Sequence, residues 1–298
     1  MGTFRIVTLG DSVAWGQGLP DVQKYDSMVR DSLSSRPAGV ARLQRQAHSG
    51  AVIDATPTIG AAAPGEVPAI RPTVIEQCDS FTDSPETVDL VLVNGGINDV
   101  GVTTILNPFD RLPSLGSRIE RACYDGMLLL LRKIASKFSK RTCRILVTGY
   151  YAIVSRYSDP LGVHRFLNLF GITAPTFLTT ADAILEPVID RCETFFLDST
   201  NHFQRAVAAT GDPRISFVLS TFTDENAIFV PDTSCLFGLG IDELLSPEDP
   251  VAKDRKVQCD ITHNPLEFPA RELCYRASAG HPNQAGAIKY KTQILNAL

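Results

Sequence analysis

Short apolar, β-branched runs alternate along this chain with longer stretches whose apolar residues recur at helical spacing. Arg5-Ile6-Val7-Thr8-Leu9, ended by Gly10, reads as a buried strand. Residues 21–35 read as a helix stopped at Arg36-Pro37, and residues 40–46 alternate as a second strand does. Val88-Asp89-Leu90-Val91-Leu92-Val93, closed by Asn94-Gly95-Gly96, is the clearest strand. A helix over 117–138, a strand Arg144-Ile145-Leu146-Val147-Thr148 and a helix over 181–209 follow. Ile215-Ser216-Phe217-Val218-Leu219 makes a fifth strand, and a helix from about 283 to 298 ends the chain. Strands alternating with helices predict right-handed crossovers and a parallel sheet covered on both faces.

Residues 220–279 break this rhythm. They carry Pro231, Pro247, Pro250, Pro265 and Pro269 with short apolar pieces such as Leu236-Phe237-Gly238-Leu239-Gly240. So long an irregular stretch in a compact domain is usually functional. It is expected to be an insertion over one edge of the sheet within a single domain spanning 1–298. Leu236, Phe237, Leu239 and Ile241 suit a lid over an apolar site.

Composition narrows the class. The chain has 298 residues, 44% hydrophobic and 20% charged, enough to bury a core without staples. Disorder, collagen and a disulfide-dense mini-protein are excluded. The net charge of −5, without a basic run, argues against a nucleic-acid partner. No stretch approaches the ~20 apolar residues that span a bilayer. Met1-Gly2-Thr3-Phe4-Arg5 leads straight into a strand, so no signal peptide is expected. The default expectation is cytoplasmic, with secretion open for a chain whose export signal has been removed. Of seven cysteines, Cys259 and Cys274 bracket an irregular segment and are candidates for a disulfide in an oxidising compartment. With His263 they are also the only candidates for a metal cluster, but they lack a recognised ligand spacing.

Ligands of open parallel sheets bind at the carboxyl ends of the strands. There the chain places Gly10-Asp11-Ser12, His48-Ser49-Gly50-Ala51, and Gly95-Gly96-Ile97-Asn98-Asp99, with Ala279-Gly280-His281-Pro282 before the last helix. Taken singly, each has an ordinary structural reading. Ser12 is a suitable helix N-cap, Asn98-Asp99 a turn, and Pro282 a first helical residue. Taken together they are an inventory for nucleophilic acyl transfer. A serine needs a base, histidine titrates near neutral pH, and the Ser12 and Gly50 amides and the Asn98 side chain are candidate oxyanion donors. His48 and the helix-face residues His164 and His202 are weaker candidates. No G-x-G-x-x-G or P-loop sequence follows the first strand, so a nucleotide cradle is unsupported.

These four blocks, in this order over nearly the whole chain, resemble the SGNH (GDSL) hydrolase superfamily. The resemblance implies a flavodoxin-like three-layer α/β/α fold with a five-stranded parallel sheet, and the hydrolysis of carboxylic esters through an acyl-enzyme. It implies Ser12 as nucleophile, His281 as base, and an oxyanion hole of Ser12, Gly50 and Asn98, with no metal or cofactor. The expected substrate is a small-molecule or lipid ester. One block departs from the pattern: an aspartate normally stands three residues before the histidine, and here that position is Ser278. A main-chain carbonyl can accept the Nδ1–H bond that the aspartate takes, so the Ser278 carbonyl is the expected substitute, with Glu272 and Asp260 as rivals. Two other functions fit the same residues: a non-catalytic lipid- or glycan-binding protein on this fold, and an acyltransferase.

Overall fold

The computed structural model describes residues 3–35, 39–55, 63–173, 182–239, 249–264 and 266–298. Five strands, β1 (Phe4–Leu9), β2 (Ala41–Arg45), β3 (Leu90–Val93), β4 (Arg144–Thr148) and β5 (Ile215–Val218), form one sheet in the order β2-β1-β3-β4-β5, parallel throughout. Central β3 is buried along its whole length because both its faces are covered. Edge strand β2 buries Ala41 and exposes Arg42, as a strand with one open flank does.

The helices are α1 (Ser12–Trp15), α2 (Tyr25–Ser34), α3 (Val74–Ser80), α4 (Ile97–Val100), α5 (Val102–Leu106), α6 (Leu112–Glu120), α7 (Met127–Lys137), α8 (Pro160–Leu169), α9 (Asp182–Thr210), α10 (Ala252–Thr262), α11 (Phe268–Tyr275) and α12 (Gln284–Asn296). Helices α2 and α12 pack together, while α3, α7 and α9 form a second group. They cover the two faces of the sheet, giving the three-layer α/β/α arrangement. A π-helical turn, Arg121–Gly126, joins α6 to α7. The helix expected over 117–138 therefore starts earlier, at Leu112, because Pro113 sits in its first turn, where proline is tolerated.

Strand order reverses at β1: the chain steps outward to β2, then back across to β3. Such a reversal opens a crevice at the carboxyl ends of β1 and β3, the usual ligand position in open α/β sheets. Helix α1 follows β1 there and α4 follows β3. Among the described residues no helix is long and apolar enough to cross a membrane.

The 220–279 segment holds two helices that its proline content hid. Helices α10 and α11 pack on each other and are joined by a Cys259–Cys274 disulfide. With Tyr275 these cysteines bury against Val67, in the loop after edge strand β2. The disulfide removes the pair from any metal cluster. The lid expectation for Leu236 and Phe237 is corrected: both are buried in the core. The Phe237 N–H donates to the His281 carbonyl at 2.8 Å, and the Gly280 N–H donates to the Phe237 carbonyl at 2.8 Å. These residues bracket the histidine loop. Ile241 lies outside the described residues.

Candidate active site

Helix α1 is one turn long and begins where β1 ends. Asp11 caps it, its carboxylate accepting from the Val13 N–H at 2.9 Å. The same carboxylate accepts from the Tyr150 hydroxyl at 2.5 Å. Burial pushes the Asp11 carboxyl up to about 6, partly offset by these hydrogen bonds. Ser12 thus sits at the first helical position of α1, and its Oγ lies 2.7 Å from Nε2 of His281.

Gly50 has φ +78°, and a Cβ there would stand 2.6 Å from the Ala69 amide nitrogen, so no other residue fits this turn. The Ser12 and Gly50 amides make no hydrogen bond among the described residues. The Asn98 side chain donates one amide hydrogen to the Ala51 carbonyl at 2.9 Å and has a second to offer. Asp99, beside it, accepts the Ile53 N–H on both carboxylate oxygens at 3.1 Å. Burial pushes this carboxyl up to about 6 as well. Asn98 and Asp99 together pin the loop that presents Gly50. The motif's aspartate is therefore structural glue, a role its residue type alone does not reveal.

His281 is held by its flanks. The Tyr151 hydroxyl donates to the Gly280 carbonyl at 2.9 Å, and Asn283 caps α12. Burial pushes the imidazole down to about 4, the Ser278 carbonyl opposing that shift and the Arg255 cation adding to it. Nδ1 and the Ser278 carbonyl do not meet in a hydrogen bond of standard geometry, although that carbonyl lies close enough to the ring to favour its protonated form. That carbonyl accepts the main-chain N–H of His281 at 2.8 Å, because residues 278–281 close a tight turn on themselves. Among the described residues the buried Nδ1 finds no hydrogen-bond partner. Neither rival carboxylate reaches it: Glu272 pairs with Arg276 at 3.2 Å, and Asp260 is engaged by Lys256, Arg271 and Tyr275.

Ser12, Gly50, Asn98 and His281 line one cavity of ≈ 320 Å3. Its walls are mostly apolar. Tyr151, Ile153, Phe166 and Leu169 come from the β4 side, and Ala270, Leu273 and Ala277 from the insertion. Phe166 is fixed edge-on against Phe170 and Phe229. His48 does not line this cavity. Its ring nitrogens lie 2.8 Å and 2.9 Å from the Ser49 and Ala63 carbonyls, so it braces the loop carrying Gly50. Among the described residues no group of His, Cys, Asp or Glu side chains gathers as metal ligands do.

Two solved structures resemble the chain over almost its entire length. An extracellular lipase from Streptomyces rimosus is 14% identical, with a TM-score of 0.54 over 99% of this chain and 100% of that one. A phospholipase A1 from Streptomyces albidoflavus is 12% identical, with a TM-score of 0.53 over 99% of each chain. No family model matches the chain, and no curated protein matches it. The likeness is therefore one of backbone: this chain shares the fold of these two enzymes.

Proposed function

We propose that the protein is a carboxylic-ester hydrolase working through an acyl-enzyme, with Ser12 as nucleophile and His281 as base. The observation that carries this reading is the 2.7 Å separation of Ser12 Oγ and His281 Nε2, at the mouth of an apolar cavity. An imidazole pushed down to about 4 is neutral at pH 7, the state in which Nε2 can take the serine proton. Attack on the ester carbonyl places negative charge on its oxygen. The Ser12 and Gly50 amides and the second Asn98 amide hydrogen are the donors for that oxyanion. His281 then returns the proton to the leaving alcohol, and water attacks the acyl-enzyme by the same steps in reverse.

The fold neighbours, a lipase and a phospholipase A1, support ester hydrolysis at the level of the fold. The cavity chemistry favours an acyl chain over a sugar, because its lining offers aliphatic and aromatic side chains. Among the described residues no carboxylate stands beside the imidazolium formed in this scheme, so we read the active pair as a dyad.

The test is hydrolysis of nitrophenyl esters of rising acyl length by the wild-type protein and Ser12→Ala. Loss of the nucleophile costs on the order of 10⁶ in rate where a protease has been dissected. Turnover retained in a clean Ser12→Ala preparation contradicts the assignment. Products formed with competing alcohols separate hydrolysis from acyl transfer.

A further inference from the structure

Behind Ser278, at the position from which the usual aspartate is missing, stands a buried cation. Arg255 of α10 has a fully buried side chain. Its Nη1 donates to Glu66 at 2.9 Å, and its Nη2 pairs with the equally buried Asp249. Nε and Nη2 both donate to the Tyr275 carbonyl, at 3.2 Å and 2.9 Å, and Nη2 also reaches Ser278 Oγ at 3.4 Å.

Glu66 carries the connection toward Ser12. Its carboxylate accepts from the Trp15 indole at 2.6 Å, the Gln17 side chain at 3.0 Å and the Gly18 amide at 2.9 Å, all at or just beyond the end of α1. Gly18 and Ser278 are so close that a Cβ on Gly18 would lie 2.7 Å from the Ser278 Cβ. One guanidinium therefore joins the segment that carries Ser12 to the segment that carries His281. It is delivered from an insertion 189 residues downstream of Glu66.

Resting on the hydrolase reading above, we propose that Arg255 is the positioning residue for His281, holding the Tyr275–Ser278 segment in register with the Ser12 turn through Glu66. The fork is what suits it to the task. A planar guanidinium can bind two carboxylates and a carbonyl at once in fixed directions, which an ammonium cannot. Asp249 and Glu66 offset its charge. A misplacement of about 1 Å between reacting groups can cost on the order of 10² in rate, so this brace acts on kcat.

The charged and titratable groups around His281 are Arg255 with Glu66 and Asp249 behind it, and Asp11 under the Ser12 turn. Tyr151 is bonded to Gly280, Arg276 with Glu272 precedes the loop, and His263 lies across the cavity. Of the charged ones, Arg255 acts on the ring directly, opposing the imidazolium.

Two variants test the brace. Arg255→Lys keeps the charge and loses the fork. Arg255→Met/Glu66→Gln/Asp249→Asn removes all three charges, so that none is left buried alone. In each folded variant kcat on a short nitrophenyl ester is expected to fall on the order of 10²-fold while KM moves less than about threefold. An NMR titration of the His281 ring follows the same proteins, and in the charge-free variant the His281 midpoint departs from that of wild type. Wild-type kcat in either folded variant, a loss confined to KM, or an unmoved His281 titration in the charge-free variant overturns the proposal. If neither variant melts cooperatively, Asp249→Asn decides, because Arg255 keeps Glu66 there. Its kcat then falls and His281 titrates lower, and no change in either overturns the proposal. A wild-type protein inert toward esters defeats the hydrolase reading instead, and the NMR titration still decides what Arg255 does to His281.

Discussion

The Asn98 side chain donates to the Ala51 carbonyl at 2.9 Å, which locks two of the three candidate oxyanion donors to each other. Gly50 precedes that carbonyl, and the Asp99 carboxylate grips the Ile53 amide on its far side. A donor fixed before substrate arrives needs no reorganisation when charge develops, which is where most of its catalytic value lies. Asn98→Ala is therefore expected to lower kcat by ~10²–10³ with little change in KM. If KM alone moves, Asn98 binds substrate and the oxyanion is held by other donors.

Acyl preference follows from the cavity. Each buried methylene contributes ~0.8 kcal/mol, about fourfold in kcat/KM while the chain still finds apolar wall. Butyryl and hexanoyl esters should thus outpace acetyl esters, with the gain ending once the ≈ 320 Å3 cavity is filled. Leu169→Trp narrows the α8 wall and should reduce turnover of the longer esters while sparing acetate. A flat chain-length series would mean that the acyl group does not enter this cavity.

Proton affinity gives a third test. Burial pushes His281 down to about 4, so the neutral base persists into acid and kcat/KM should hold to about pH 5, falling with a midpoint near 4. The sign is that of a base lost on protonation. Asp11, pushed up to about 6 by burial, lies under the same turn. A midpoint near 6 would assign the acid limb to the Asp11 carboxyl, and one near 6.5 would mean that burial does not lower the proton affinity of His281.

The Cys259–Cys274 disulfide closes a loop of 15 residues around α10 and α11 and should contribute about 3 kcal/mol. The five other cysteines are free thiols with nothing to reduce, so a reductant can act only on this bond. Cys259→Ala/Cys274→Ala should lower the denaturant midpoint accordingly. An unchanged midpoint would mean the cysteines are not paired in solution.

The five strands and the four motif blocks were legible because each is written in a handful of adjacent residues: Leu90–Val93 is apolar throughout, and Gly10-Asp11-Ser12 follows its strand directly. Two helices were missed although local signals existed. Thr73 and Glu76 form a capping box at the start of α3, and Asp159-Pro160 is a capped proline start for α8. Other features had no local signal. The Arg255–Glu66 pair spans 189 residues and the Tyr150–Asp11 bond spans 139, and charge pattern alone matches neither. Leu236 and Phe237 have the composition of a lid, yet their main chain is spent on the histidine loop. Apolar character alone could not separate a cover from a core.

The central claim is that His281 activates Ser12, and covalent labelling tests it most directly. The protein is treated with a serine-reactive phosphonate, and the adduct is located by mass spectrometry in wild type, Ser12→Ala and His281→Ala. The account predicts one adduct per chain on Ser12 in wild type, none in Ser12→Ala, and labelling slowed by orders of magnitude in His281→Ala. A folded wild-type protein left unlabelled, or one labelled at another residue, would contradict it.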